Sequence, residues 1–340
     1  MRSIAAILLV LDMIVVSAGT PRSVFNGQAF ELDSTGNYSF VVGGHFYGNS
    51  AANSGYPASS LLGGLDKILD FDPDMLFVTG DLFLNVKHDS ANYRRALFDR
   101  LPSPIYNAVG NHDLDGDFYE NFEPTFQYFF IGNDLFLVLD TELDNGSIEG
   151  EQYKMLSSAL VEAEERDAHN IFIFSHRPIW AIGHEDIDGL IKSNTRSLTG
   201  NNFNDDVLPL LIETQESAKV YWFSGSMGGQ APASFLYHEE DKIHFIITAI
   251  RDTRRDAVLG VTVNSGKAQF SIIPLGQSKV EPLENYNVDL WRENGKETEK
   301  FNFRLLPYYI KTTLTHRAFW SGVVSVLILL VVVKLIRRIS

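Results

Sequence analysis

The stretch that decides the fold of this chain is Ile105-Tyr106-Asn107-Ala108-Val109-Gly110-Asn111-His112-Asp113. Residues 105–109 form a short, largely apolar run, which is typical of a buried β-strand. The four residues after it carry an amide, an imidazole and a carboxylate. A second apolar run, Met75–Val78, is followed in the same way by polar residues, here Gly80-Asp81. Polar side chains at the ends of two buried strands predict a site at one edge of a sheet.

Strands and helices alternate along most of the chain. Further strands are predicted at Tyr38–Val42, Leu135–Leu139, Ile171–Phe174 and Val220–Phe223. Helical patterns separate several of them, at Ser59–Leu69, Ser90–Arg100, Glu151–Arg166 and Asp206–Glu213. This alternation predicts an α/β core. After Lys242 the pattern changes to three successive strands, Ile243–Ala249, Val258–Val263 and Ala268–Ile273. These strands predict a second sheet.

The motifs at the strand ends resemble those of the calcineurin-like metallophosphoesterases. Gly80-Asp81, the Gly110–Asp113 tetrapeptide, His176 after a strand and a later Ser-Gly turn occur in that family's order, between about Tyr38 and Ala249. The resemblance implies a four-layer β-sandwich flanked by helices. It also implies a centre with two divalent metals that bind a phosphate group and lower the pKa of a water.

The family's roles transfer to individual residues here. Asp81 would bridge the two metals, Asn111 and His176 would bind the second metal, and His45 would serve the first. His112 would contact the phosphate and protonate the leaving group. Asp113 would fix the tautomer of His112 by a hydrogen bond. Asn111 and Arg177 would contact the substrate.

Several expected ligands are missing. Gly43 stands where the family has its first aspartate, and both histidines of the last motif are replaced, by Ser226 and Gly228. Met227 between them is a soft thioether that suits Mn, Mg or Fe poorly. The resemblance therefore implies one divalent ion, of Mn, Fe, Zn or Mg, if any is bound.

Two other arrangements are open at this point. Replacement ligands could come from His184, Asp186 or His238. Phosphate could instead bind without a metal, through guanidinium groups. The arginines in question are Arg177, Arg251, Arg254 and Arg255.

Both ends of the chain have membrane signals. A basic start, an apolar run from Ile4 to Val16 and small residues after it predict a cleaved signal peptide at residues 1–19, with a retained anchor or a buried helix as alternatives. Ala318–Val333 is uncharged and Lys334, Arg337 and Arg338 follow it. This pattern predicts a transmembrane helix with the domain outside the cytosol and the C-terminus inside. The domain would face a periplasm, the cell exterior or an organelle lumen.

Composition narrows the function. The 340 residues have a net charge of −15, which argues against a general nucleic-acid binder. The absence of cysteine excludes disulfides and thiolate metal sites. The expected organisation is a signal peptide at 1–19, a metallophosphoesterase-like domain at 20–279, an edge element and stalk at 280–315, a transmembrane helix at 316–336 and a cytosolic tail at 337–340.

Three functions are consistent with these features. The first is a membrane-anchored phosphoesterase that hydrolyses a phosphomonoester or diester. Its substrate would be a phosphorylated small molecule or the phosphate ester of a lipid or glycan. The second is a pseudophosphatase that binds or scaffolds without turnover. The third is a membrane-associated assembly or cell-envelope factor.

Overall fold

The computed structural model of the chain describes residues 20–49, 54–114, 125–192, 201–227, 231–276, 278–294, 306–315 and 317–339. The predicted signal peptide at 1–19 and the ligand position Gly228 lie outside the described residues.

Eleven strands in the described part of the chain form two sheets. In chain order they are β1 (Tyr38–Gly43), β2 (Met75–Val78), β3 (Ile105–Asn107), β4 (Gln127–Ile131), β5 (Asp134–Val138), β6 (Asn170–Phe174), β7 (Lys219–Ser224), β8 (Phe235–Glu240), β9 (Ile243–Thr248), β10 (Ala257–Asn264) and β11 (Lys267–Pro274). The first sheet has the order β11-β10-β1-β2-β3, and the second has the order β4-β5-β6-β7-β9-β8. Strands β1, β2 and β3 of the first sheet are parallel, and so are β5, β6, β7 and β9 of the second. The carboxyl ends of each parallel set therefore lie at one edge of its sheet.

The helices are α1 (Ser59–Phe71), α2 (Val86–Ala96), α3 (Gly150–Glu165), α4 (Asp188–Lys192), α5 (Leu208–Thr214), α6 (Val288–Asn294), α7 (Leu306–Thr315) and α8 (Arg317–Ile339). Short 3-10 turns occur at Phe98–Arg100, Leu143–Gly146, Ile179–Ala181 and Leu283–Asn285, and one π-helical turn at Phe203–Val207.

The core between the sheets is aromatic, because the strands alternate aromatic and aliphatic side chains. On β6, Phe172 and Phe174 face the other sheet, whereas Ile171 and Ile173 face the helices. The ring of Phe174 stacks on Phe77 from β2, with centroids 4.0 Å apart. The two sheets therefore pack face to face through rings that the alternation places on their inner sides.

Helices cover the outer faces of both sheets. Leu61, Leu65 and Ile68 of α1 pack against the first sheet together with α2. Leu156 and Leu160 of α3 pack against the second sheet together with α5. The order of layers is helix, sheet, sheet, helix, which confirms the predicted four-layer α/β sandwich.

The prediction that the last three strands form a sheet of their own was wrong. β9 joins the second sheet beside β7, and the hairpin β10–β11 joins the first sheet beside β1. The local pattern identified all three strands correctly. Their partners are set by long-range pairing, which a local pattern does not contain.

Part of the predicted edge element and stalk at 280–315 packs against the second sheet. Trp291 on α6 is buried against the second sheet, and its indole N–H donates to the carbonyl of Phe235 at 2.8 Å. The chain is therefore packed as far as Asn294.

One helix among the described residues is long and apolar enough to cross a membrane. It covers Arg317–Arg337, 21 residues with a mean hydropathy of 2.5, and none of this window is buried in the structure. It agrees in position with the predicted transmembrane segment at 316–336.

We predict that Phe174→Ala lowers the free energy of unfolding by about 3–5 kcal/mol, because it opens a cavity between the sheets. Urea unfolding of the full chain in detergent, followed by the fluorescence of buried Trp222, measures this change. The control Val161→Ala alters a side chain that is 57% exposed, and it should shift the free energy by less than about 0.5 kcal/mol. Equal effects of the two substitutions would contradict the packing described here.

Candidate metal centre

Asp81 lies at the centre of the predicted site. It follows β2, it is 1% exposed, and its backbone has a left-handed φ of 55°. His45 Nε2 lies 3.3 Å from Asp81 Oδ2, and His176 Nε2 lies 3.6 Å from Asp81 Oδ1. The two imidazoles thus face different oxygens of one carboxylate. His45, Asp81 and His176 form a group with three ligand atoms within 4.8 Å of one another.

Glycines allow the strand ends to approach this closely. A Cβ at Gly80 would lie 2.3 Å from His176 Nδ1, and one at Gly110 would lie 2.2 Å from the Asp81 nitrogen. At Gly225 it would lie 1.7 Å from the carbonyl oxygen of Thr79. Each motif glycine is therefore required by packing, because a side chain would separate the segments that carry the polar groups.

The ring of His176 is oriented by one hydrogen bond through Nδ1, which leaves Nε2 facing Asp81. Its Nδ1 lies 2.9 Å from the carbonyl oxygen of Thr79, an acceptor only, so Nδ1 carries the proton. Its Nε2 is buried and has no hydrogen-bond partner among the described residues. The lone pair on Nε2 faces Asp81, which fits a divalent ion bound between the two side chains.

A guanidinium group occupies the His45 side of the centre. Arg251 follows β9, it is 7% exposed, and its Nη1 donates to His45 Nδ1 while Nη2 lies 3.4 Å from His45 Nε2. Burial, and next the charge of Arg251, hold the pKa of His45 well below its usual range. His45 is therefore neutral, and the local positive charge comes from Arg251.

Packing fills the space of the missing first ligand. A Cβ at Gly43 would lie 2.9 Å from the side chains of both Phe46 and Val258. Met227 is fully buried in the core of the second sheet, and the Ser226 amide donates to the carbonyl of His176 at 2.9 Å. The described residues on the first-metal side thus do not fit a second ion.

Asp113 bonds to the loops around the site, and its predicted hydrogen bond to His112 stays a prediction. Its carboxylate accepts from the Phe83 and Gly110 amides at 2.9 and 3.0 Å and from Asn107 Nδ2 at 3.1 Å. Burial, and next the charge of Asp81, raise the pKa of Asp113 to about 7. These contacts hold the Gly110–Asp113 loop against the loop after β2. The loop in turn directs the His112 amide to Asp81 Oδ1, at 3.0 Å.

Tyr47 is a site residue that the sequence analysis missed. Its ring lies 5.3 Å from that of His45 and 5.0 Å from that of His112, centroid to centroid. Burial, and next the charge of Asp81, raise the pKa of the Tyr47 hydroxyl. The signal available in the sequence was an aromatic residue two positions after a predicted ligand.

The arginines named as phosphate binders differ in position. Arg177 forms an ion pair with the buried carboxylate of Glu142, with Nε donating to Oε1 at 2.6 Å. Arg255 donates to the carbonyl of Pro232 at 2.7 Å, and Arg254 is exposed. Arg251 alone among these four contacts His45. The substrate-binding role of Arg177 stays a prediction.

None of the proposed replacement ligands joins Asp81. His184 and His238 lie in a separate group with Glu240, and Asp186 pairs with Arg292. Asn111 is half-buried beside His112, and its role as a metal and substrate ligand stays a prediction.

Comparison with known proteins agrees with the motif analysis. Residues 57–209 match the family model of the calcineurin-like phosphoesterases. A search of curated protein sequences found no significant match.

Several solved structures are similar to this chain. A purple acid phosphatase from yellow lupin (Lupinus luteus) seeds superposes with a TM-score of 0.47 and 11% identity, covering 76% of this chain and 57% of the lupin protein. A dimetal phosphatase from Danio rerio gives a TM-score of 0.44 and 13% identity, covering 70% of this chain and 99% of that one. A predicted phosphoesterase from Streptococcus pneumoniae gives 0.33 and 15%, covering 72% and 94%.

We predict that Gly225→Ala lowers the free energy of unfolding by about 3 kcal/mol, because its Cβ would overlap the backbone of Thr79. Thermal and urea unfolding of the full chain measure the loss. Gly189→Ala is the matched control, since a Cβ there would meet nothing within 4 Å. A G225A protein as stable as G189A would show that the strand ends are further apart than described.

Asp140 provides a test of burial at the end of β5. It is fully buried, and burial raises its pKa to about 6, although the Glu142 amide donates to it at 2.9 Å. The folded-state pKa lies above the ordinary aspartate value of 3.8. The folded protein therefore holds this proton more tightly than the unfolded chain between about pH 4 and 6, so stability falls as pH rises through that window.

We predict that ionisation of Asp140 lowers the free energy of unfolding by on the order of 2–3 kcal/mol between about pH 4 and 7, since one pKa unit corresponds to about 1.4 kcal/mol. Asp140→Asn lacks the titrating group. Its free energy of unfolding should therefore fall less between these two pH values than that of the wild type, by the same amount. Urea unfolding at the two pH values measures it. Asp66→Asn changes a carboxylate that is 87% exposed and should keep the wild-type slope. An unchanged slope in D140N would contradict the assignment.

Proposed function

We propose that this chain, whose residues 57–209 belong to the calcineurin-like phosphoesterase family, hydrolyses phosphate esters with a single divalent ion. The observation that carries the proposal is the buried Nε2 of His176, which faces Asp81 Oδ1 at 3.6 Å and has no other partner in the described structure. A buried carboxylate oxygen that faces an imidazole lone pair is stabilised when a cation binds between the two.

Asp81 and His176 would hold the ion, with Asn111 from the neighbouring loop as a third ligand. These are oxygen and nitrogen donors, which suit Mn, Fe, Zn or Mg. A bound ion would supply positive charge for the phosphate and lower the pKa of a water. The hydrogen bond from His176 Nδ1 to Thr79 keeps the imidazole in the tautomer required for this role.

Arg251 would take over the electrostatic part of the missing second ion. Its guanidinium is buried against His45, on the side where Gly43 offers no ligand and no space. A guanidinium group presents several N–H donors in one plane, which match the oxygens of a phosphate. A permanent cation in this position would bind and orient the substrate phosphate without a further metal.

His112 would donate the proton to the leaving group. It is half-buried at the mouth of the centre, its amide is fixed on Asp81 Oδ1, and its ring lies against Tyr47. A histidine is the side chain that most readily serves as a general acid near neutral pH. Asp113 would act indirectly, because it holds the loop that positions His112.

The site would work outside the cytosol, close to a membrane. The apolar helix Arg317–Arg337 supports an anchor, and the basic residues Lys334, Arg337 and Arg338 at its end favour a cytosolic C-terminus. The substrate would be a phosphomonoester or diester, of a small molecule or of a lipid or glycan on the same surface. The predicted signal peptide supports this topology.

We predict that the full chain in detergent, loaded with Mn²⁺, hydrolyses p-nitrophenyl phosphate or bis(p-nitrophenyl) phosphate. Asp81→Asn and His176→Gln should each lose one bound ion and more than about 100-fold in kcat/KM, because even the partners of metal ligands contribute about 10–100-fold. Elemental analysis after gel filtration, together with the hydrolysis assay, measures both effects. His244→Gln, which alters a histidine outside both ligand groups, is the control.

Arg251→Lys separates the two parts of the site in the same assay. Loss of the planar guanidinium should raise KM about tenfold, while the number of bound ions stays unchanged.

No turnover in any of Mn, Fe, Zn or Mg would end the enzymatic proposal. A loss of the ion in R251K would assign Arg251 to the metal site itself.

The closed space at Gly43 and the contact of Arg251 with His45 favour one alternative, a phosphate-binding domain without turnover. That protein would bind inorganic phosphate and lose the binding in R251K. It would hydrolyse neither ester.

A further inference from the structure

A second group of possible metal ligands lies away from Asp81, at the edge of the second sheet. His238 and Glu240 are two residues apart on the edge strand β8, so their side chains lie on the same face. His184 approaches them from the segment between the Ile179–Ala181 turn and α4. The three ligand atoms all lie within 4.8 Å of one another.

His238 is held with one nitrogen buried. Its ring is nearly parallel to that of Trp180, with centroids 6.5 Å apart, and to that of Phe245, with centroids 6.4 Å apart. Its Nε2 is inaccessible to solvent and has no hydrogen-bond partner within the described part of the chain. Burial, and next the neighbouring His184, lower the pKa of His238. A neutral imidazole with an unsatisfied buried nitrogen is suited to metal ligation.

Glu240 faces both imidazoles at ion-pair distances. Its Oε2 lies 3.5 Å from His184 Nε2 and 3.8 Å from His238 Nε2. These separations exceed those of normal N–H···O hydrogen bonds. Two ligands of one Zn²⁺, each about 2.0–2.2 Å from it, are separated by similar distances. The three side chains therefore have the spacing of ligands around one ion.

We propose that His184, His238 and Glu240 bind a transition-metal ion of the zinc class, with a fourth position open to solvent. Two imidazoles and one carboxylate form a ligand set that suits Zn²⁺ and excludes Mg²⁺ or Ca²⁺ as the preferred ion, since those prefer oxygen alone. Glu240 is 55% exposed and leaves the open side accessible to a small anion or water.

The loop around His184 must adjust when the ion binds. His184 Nδ1 now accepts from the Asp186 amide at 3.1 Å, so its proton lies on Nε2. Ligation through Nε2 moves this proton to Nδ1, and the contact with Asp186 is given up. The bound ion would then tie the segment after Ile179–Ala181 to β8, while Asp186 stays paired with Arg292 of α6.

The test uses the full chain in detergent, without an affinity tag, titrated with Zn²⁺ and separately with Co²⁺. Asp81→Asn combined with His176→Gln removes the first site, and this variant should still bind one ion with the ligand-field absorption of four-coordinate Co²⁺. Adding His238→Gln or Glu240→Gln should weaken that binding about 100-fold. In the D81N/H176Q background, Zn²⁺ should raise the melting temperature only of proteins that keep all three ligands.

His244→Gln is the matched control, because its side chain is 22% exposed against 20% for His238 and it lies on the adjacent strand. In EDTA the variants should melt alike. If H238Q fails to fold, the exposed Glu240→Gln decides the question. Equal Zn²⁺ affinity after E240Q and after H244Q, both in the D81N/H176Q background, or no binding by the D81N/H176Q protein itself, would overturn the proposal. Neither result depends on whether the Asp81 centre hydrolyses phosphate.

Discussion

The burial of one carboxylate, Asp81, is the constraint on which the rest of the site depends. The charge is removed from water at the point where the ends of both sheets meet, and a buried charge is costly unless it is compensated. Hydrogen-bond donors close to the carboxylate provide part of that compensation. Their close approach requires glycine at three positions where a Cβ would come within 2.3 Å of a neighbouring atom, namely Gly80, Gly110 and Gly225. The His112 amide, at 3.0 Å, is one such donor. The remainder must come from a cation.

Two sources of positive charge would meet at this carboxylate, the proposed ion on the His176 side and Arg251 on the His45 side. On the His176 side an imidazole lone pair faces Asp81 in the geometry of a metal ligand. On the His45 side Arg251 supplies a fixed charge, and Phe46 and Val258 close the space where a further carboxylate would lie. A second carboxylate ligand at Gly43 would need a second ion to neutralise it. The glycine at this position and the arginine beside His45 are thus electrostatically consistent with each other.

The sequence predicted the fold and the residues at the strand ends because both depend on local patterns. Short, largely apolar runs predict the strands, and the polar residues directly after parallel strands are expected to meet at one edge. Arg251 was identified only as one of several arginines, because the direction of a side chain after β9 depends on which sheet that strand joins. Tyr47 was missed for the same reason. His184 and His238 were named only as replacement ligands for the Asp81 site. Their grouping with Glu240 was missed because Tyr237–Glu240 lacks the apolar run by which the other strands were predicted.

Trp180 links the two ligand groups physically. Its indole N–H donates to Ser224 Oγ at 3.2 Å, and that hydroxyl lies 3.1 Å from Ser175 Oγ, next to His176 in the chain. The same indole ring is nearly parallel to the ring of His238. A side chain packed between these elements restrains both ends at once, because a buried indole has few alternative positions. An ion that tied His184 to β8 would therefore also limit the movement of the segment that begins at His176. The position of that imidazole relative to Asp81 would then be set by the rigid sheet below it and by the edge strand beside it.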